Sequence, residues 1–153
     1  MKKITFLLLL SFFVQVSAQE KMMVWPKGQM PNSKGLSLKT EEKDNRITQI
    51  KETELFAFFP PKEDRKPMAV IIIPGGGYYK LTYDLNGFQI AKWFNTLGIS
   101  AFVLNYRLPT SPDLKQREIA PLQDIQAAIK LVRKNAAQYG ISPDQVGVIG
   151  TSA

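Results

Sequence analysis

Five consecutive apolar residues, Ala69-Val70-Ile71-Ile72-Ile73, run without any polar alternation. A strand with one wet face alternates, so this run predicts a strand covered on both faces, as in a parallel sheet between helix layers. Residues 99–106 and 146–150 read as two further buried strands. Between them lie stretches of helical spacing. Residues 84–97 set Leu85, Phe88, Ala91, Phe94 and Leu97 on one face, with Gly98 placed to end the helix. Residues 121–138 set Leu122, Ile125, Ile129, Val132 and Ala136 on another, closed by Gly140. Upstream, residues 47–59 mix β-branched and aromatic side chains, and Pro60-Pro61 stops them. One or two antiparallel strands near a sheet edge fit there, because Lys51, Glu52 and Glu54 need water. The resulting order, β-β-β-α-β-α-β, predicts an α/β chain with a mostly parallel sheet and helices on both faces.

The amino end has a different character. Met1-Lys2-Lys3 leads into an apolar stretch from Ile4 to Val14, too short to span a bilayer, which takes about 20 residues. Val16-Ser17-Ala18 then supplies small residues at signal-peptidase spacing, so residues 1–18 are expected to be a signal peptide cleaved after Ala18. The chain contains no cysteine, which excludes a lipid-anchored lipoprotein and leaves no membrane anchor after cleavage. An exported protein, periplasmic or secreted, is expected. Residues 19–45, with Trp25-Pro26 and Met30-Pro31, show neither helical nor strand periodicity and read as an extended arm. Residues 46–153 form the body.

The formal charge is +7, but the lysines and arginines are scattered among acidic residues, which excludes a nucleic-acid stripe. Histidine is absent as well, so a zinc site built from Cys or His is excluded. The same absence means that the chain cannot hold a complete Ser-His-acid triad.

Two features carry chemistry. The strand at 69–73 ends in Pro74-Gly75-Gly76-Gly77-Tyr78-Tyr79, and the last strand ends in Gly150-Thr151-Ser152-Ala153. A nucleotide loop is excluded for the first, because neither Gly-Lys-Ser/Thr nor the third glycine of a dinucleotide fingerprint follows. An oxyanion hole fits instead. Gly76 and Gly77 N–H, with Ala153 N–H beyond the serine, supply donors for the charge that develops on an ester carbonyl oxygen. Gly-x-Ser at the end of a strand fits a nucleophile elbow, with Ser152 as nucleophile. Tyr78 and Tyr79 stand beside the loop and are candidates for stacking on a sugar ring.

Together these motifs, with Asn105-Tyr106-Arg107-Leu108 and Pro121-Leu122-Gln123-Asp124, resemble the N-terminal half of α/β-hydrolase esterases. The similarity is to acetyl-xylan esterases and the feruloyl-esterase-like group related to hormone-sensitive lipase, over residues 25–153. Pro74 stands where lipases of that relationship carry histidine, which points toward sugar esters. The resemblance implies a serine carboxylic-ester hydrolase acting on acylated carbohydrate, such as acetylated xylan, without a cofactor. It also implies that Tyr106, Arg107 and Asp124 are structural, with a salt bridge from Arg107 to the helix. The triad Asp and His would follow the serine, so the C-terminal half of the fold is missing from these residues and they are expected to be inactive alone. Without that half, the last strand is expected to be a bare parallel edge with one apolar face uncovered. A prolyl-oligopeptidase-type peptidase and a catalytically silent sugar-binding module are the alternatives.

Overall fold

The structure, a computed structural model, describes residues 19–152. The expected signal peptide and Ala153 lie outside the described residues. In chain order the elements are β1 (Gln19–Met23), β2 (Glu41–Lys43), β3 (Arg46–Gln49), β4 (Glu54–Phe58), β5 (Ala69–Ile73) and a π-helical turn (Asp84–Phe88). They continue with α1 (Gln89–Thr96), β6 (Ser100–Asn105), α2 (Ala120–Lys134), α3 (Ala136–Tyr139) and β7 (Val146–Gly150). Five strands make one sheet in the order β1-β4-β6-β5-β7, and β2 pairs with β3 as a separate hairpin. The trio β6-β5-β7 is parallel, and β4 and β1 continue it antiparallel.

Both faces of the central strands are covered, as the unbroken apolar runs require. Ile71, Phe102, Leu104, Leu55 and Ala57 face Ala128 and Val132 of α2 together with Ala136 and Tyr139 of α3. Val70, Ile72, Ala101, Val103 and Phe58 face the other way, onto Phe88, Ala91 and Phe94. Among the described residues, no helix is long and apolar enough to cross a membrane.

Four details differ from expectation, each for a physical reason. The arm at 19–45 is not free of strand: its first residues form β1, which pairs with β4 along its whole length. Ladder hydrogen bonds come from the backbone, so an edge strand of Gln-Glu-Lys-Met-Met needs no apolar alternation. With β1 outermost, β4 is second from the edge, and Glu54 reaches solvent beside Lys21, whose Nζ donates to it at 2.9 Å. The helix at 84–97 begins as a π-turn, closed by Phe88 N donating to Tyr83 O at 2.9 Å. This wider turn takes Leu85 off the buried face, where it is 63% exposed.

The helix expected at 121–138 breaks at Asn135, whose side-chain amide donates to the Leu131 carbonyl at 3.0 Å and competes with continued helix. Its buried face is also rotated, through Pro121, Asp124, Ala128 and Val132, and Leu122 is exposed. A charge causes the rotation. Asp124 is fully buried and pairs with Arg107, which is 2% exposed, at 2.8 Å between Oδ1 and Nη2. Finally, β7 exposes both faces, through Val148 and Ile149, because the helices lie over β5 and β6.

The salt bridge expected from Arg107 to the helix is therefore present and buried. Removing one partner leaves the other charge uncompensated in a dry site, which costs about 3–5 kcal/mol. Arg107→Ala and Asp124→Ala are each expected to lower the unfolding free energy by that amount in urea titrations. A change within about 0.5 kcal/mol, the range of ordinary surface substitutions, would show the pair to be dispensable.

Candidate active site

The two sequence motifs meet because β5 and β7 are adjacent and parallel, with Ile73 opposite Gly150. Their loops leave the same end of the sheet side by side, outside the carboxyl ends of the strands, where open α/β sheets place ligands. Ser152 has φ 57°, the left-handed region that non-glycine residues rarely occupy, and its side chain is exposed. A positive φ at a serine just past the end of a strand is the backbone conformation that a nucleophile elbow requires. The contact between the loops is close. A Cβ on Gly75 would sit 2.0 Å from the Thr151 carbonyl oxygen and 3.0 Å from Ser152 Cβ, so only glycine fits there.

Peptide planes along the glycine loop are held in a definite pattern. Tyr106 Oη donates to the Pro74 carbonyl at 3.2 Å, and Gly75 N donates to Thr151 Oγ1 at 3.1 Å. Gly75 O accepts from Thr82 N and Thr82 Oγ1, both at 2.9 Å. Gly76 O accepts from Tyr79 N and Lys80 N, both at 3.3 Å. Among the described residues, the N–H groups of Gly76 and Gly77 have no acceptor. Two adjacent donors with fixed carbonyls and no internal partner suit an anionic oxygen. Gly76 has φ 149°, and a Cβ on it would lie 2.1 Å from Lys80 O, so the loop's path needs glycine there.

Around this centre, Leu81 is tied to Ile47 of the β2–β3 hairpin by two backbone hydrogen bonds of 2.8 and 3.0 Å. Tyr83 donates its hydroxyl to the Glu42 carboxylate. Burial, then that hydrogen bond, pushes the Tyr83 hydroxyl up to about 12. Burial likewise pushes the Tyr106 hydroxyl up to about 12, with nearby Tyr78 a smaller cause.

The structure thus brings Ser152 beside the loop that carries Gly76 and Gly77, while Ala153 lies outside the described residues. Tyr78 and Tyr79 are on the rim, 46% and 74% exposed. A cavity of about 420 Å³ opens elsewhere, between the N-terminal segment and the body. Trp25, Met30, Leu36, Lys51 and Arg107 line it, and none of Gly76, Gly77 or Ser152 borders it. Among the described residues, no cluster of His, Cys, Asp and Glu is arranged to hold a metal. Thr82, Asn86 and Thr151 all touch this loop network, yet the sequence did not single them out. Thr151 lies inside the Gly-x-Ser motif and was the one within reach of a local pattern.

A serine in the left-handed region just past a parallel strand, next to a glycine loop and with helices over both faces of the central strands, fits the α/β-hydrolase architecture that the solved relatives share. Within it, the chain belongs to the BD-FAE family, whose model matches residues 55–153. It is 37% identical over 100 residues to an acetylxylan esterase of Xylanibacter ruminicola, covering 65% of this chain and 19% of that protein. It is also 34% identical over 99 residues to endo-1,4-beta-xylanase B of Butyrivibrio fibrisolvens, covering 65% and 15% respectively. Among solved structures, the acetyl ester-xyloside bifunctional hydrolase of Caldicellulosiruptor lactoaceticus superposes with a TM-score of 0.62 at 28% identity. That match covers 88% of this chain and 43% of the other. The chain thus spans less than a fifth of the length of the two curated relatives.

The Tyr106 hydroxyl gives a pH prediction. Its folded pKa lies above its ordinary value of 10.0, so its contribution to stability is full below pH 10 and is lost as the pH rises toward 12. Urea unfolding should show stability falling more steeply across that window in the wild-type chain than in Tyr106→Phe. Equal slopes would mean that the hydroxyl is not held neutral by the fold.

Proposed function

We propose that these residues form the nucleophile-bearing part of a serine carboxylic-ester hydrolase that removes acyl groups, acetyl above all, from xylan or a related polysaccharide. The observation that carries this reading is Ser152, at φ 57°, packed against a loop whose Gly76 and Gly77 amides have no acceptor among the described residues. Ser152 Oγ attacks the ester carbonyl carbon, and the carbonyl oxygen takes the developing negative charge. Gly76, Gly77 and Ala153 N–H receive that oxygen, each such donor contributing about 100- to 1000-fold to the rate. Collapse of the tetrahedral intermediate breaks the bond to the sugar oxygen, which leaves with the proton taken from the serine, and water then releases the acid from the acyl-serine.

The serine proton needs a base. With no histidine among the 153 residues, the imidazole comes from outside them. Tyr78 and Tyr79, exposed on the loop's rim, offer faces for the sugar. The names of the relatives support the substrate class: an acetylxylan esterase, a xylanase and an acetyl ester-xyloside hydrolase. A polymeric substrate also fits the export that residues 1–18 suggest, to the periplasm or beyond the cell.

The test uses the protein that the complete reading frame encodes. A serine-directed fluorophosphonate should label Ser152, and p-nitrophenyl acetate and acetylated xylan should both release acetate. Ser152→Ala should abolish labelling and turnover together, and residues 1–153 alone should hydrolyse neither ester. Retained turnover in Ser152→Ala would overturn the assignment, and cleavage of aminoacyl p-nitroanilides in preference to esters would redirect it to a peptidase.

A further inference from the structure

The Gly76 amide is aimed by its own peptide plane. In a trans peptide, the C=O of one residue and the N–H of the next point in opposite directions across a rigid plane. No peptide bond in the described residues is cis. Whatever grips the Gly75 carbonyl therefore sets the direction of the Gly76 N–H. A single residue grips it twice, Thr82, through its backbone N and its Oγ1, each at 2.9 Å.

A second residue controls the first. Asn86 Nδ2 lies 2.5 Å from Thr82 Oγ1, and Asn86 N donates to the Thr82 carbonyl at 2.9 Å. Donor counting fixes the direction of this relay. Gly75 O can only accept, and a threonine hydroxyl carries one proton. That proton points at Gly75 O, so Thr82 Oγ1 presents lone pairs to Asn86, and Asn86 must answer with its NH2. Its carbonyl in the same place would set two acceptors against each other. Asn86 is itself anchored, because it belongs to the π-helical turn whose Gly87 is packed on the sheet. A Cβ on Gly87 would lie 2.7 Å from Val103 Cγ1 of β6.

Given the ester-hydrolase reading, we infer that Thr82 and Asn86 are positioning residues for the oxyanion. Asn86 orients the Thr82 hydroxyl onto the Gly75 carbonyl, and this holds the Gly76 N–H toward the oxygen of the tetrahedral intermediate. Neither side chain touches substrate. Their effect falls on the step in which charge develops, and so on kcat rather than KM.

The test measures kcat and KM for p-nitrophenyl acetate, and the melting temperature, in the protein encoded by the complete reading frame. Thr82→Val keeps the shape and removes the donor. It should lose about 10- to 100-fold in kcat, somewhat less than deleting an oxyanion donor outright, with KM within about twofold. Thr82→Ser keeps the hydroxyl and should retain most of the activity. Asn86→Asp replaces the N–H donor by an acceptor that draws the Thr82 proton off Gly75, and should lose a similar factor. Because both act through one hydroxyl, Thr82→Val with Asn86→Asp should lose no more than Thr82→Val alone. Unchanged kcat in Thr82→Val, or losses that multiply in the double variant, would overturn the inference. Where Thr82→Val fails to fold, Asn86→Asp decides alone, near-wild-type kcat counting against. A wild-type protein that neither hydrolyses the ester nor labels at Ser152 removes the ester-hydrolase reading and the positioning roles with it. An active wild type with unaffected variants removes the positioning roles only.

Discussion

The buried carboxylate of Asp124 organises more of this structure than any other single group. It accepts from Trp25 Nε1 at 2.8 Å, Thr53 Oγ1 at 2.9 Å, and the backbone N, Nε and Nη2 of Arg107. Arg107 Nη1 in turn donates to the Pro31 carbonyl at 2.6 Å. Taking a charge out of water costs several kcal/mol even after relaxation, and only a full set of partners offsets it. Four separate parts of the chain are thereby made to converge: the end of β6, the inner face of α2, the approach to β4 and the N-terminal segment. The orientation of α2 follows, and with it the packing of Ala128 and Val132 on the sheet.

On that frame, the site is a matter of strand order. With β5 and β7 adjacent and parallel, the glycine loop and the serine turn must share space, and Gly75 shows how little there is. The carbonyls of Pro74, Gly75 and Gly76 are all bound from within the protein, whereas among the described residues the Gly76 and Gly77 amides have no acceptor. Rigid donors of this kind need no reorganisation when charge arrives, which is the physical basis of oxyanion stabilisation.

The alternation of apolar strand and amphipathic helix was legible in the sequence because burial on two faces leaves a distinct mark. Ala69–Ile73 has no polar residue to present to water, and Ser100–Asn105 is buried along its length. What escaped was whatever the apolar pattern does not encode. β1 is held by ladder bonds that any sequence can make, and α2 turns on a buried charge that a hydrophobic stripe cannot register. In the π-turn, a change of helical period displaced Leu85. Of the site, Ser152 and the glycines stood out because each needs an unusual backbone and follows a strand. Thr82 and Asn86 did not, since threonine and asparagine are ordinary loop residues until the chain doubles back on Gly75.

The Asp124 cluster also bears on where a folding unit starts. The family match begins at residue 55, yet Thr53, Pro31 and Trp25 all supply partners to the Arg107–Asp124 pair. A polypeptide trimmed to the family boundary would keep every residue of the glycine loop and the serine turn. It would also strip a buried ion pair of its neutral partners and open it to water. A polypeptide that keeps the pair enclosed therefore has to start upstream of Trp25, well before the stretch that the family model matches.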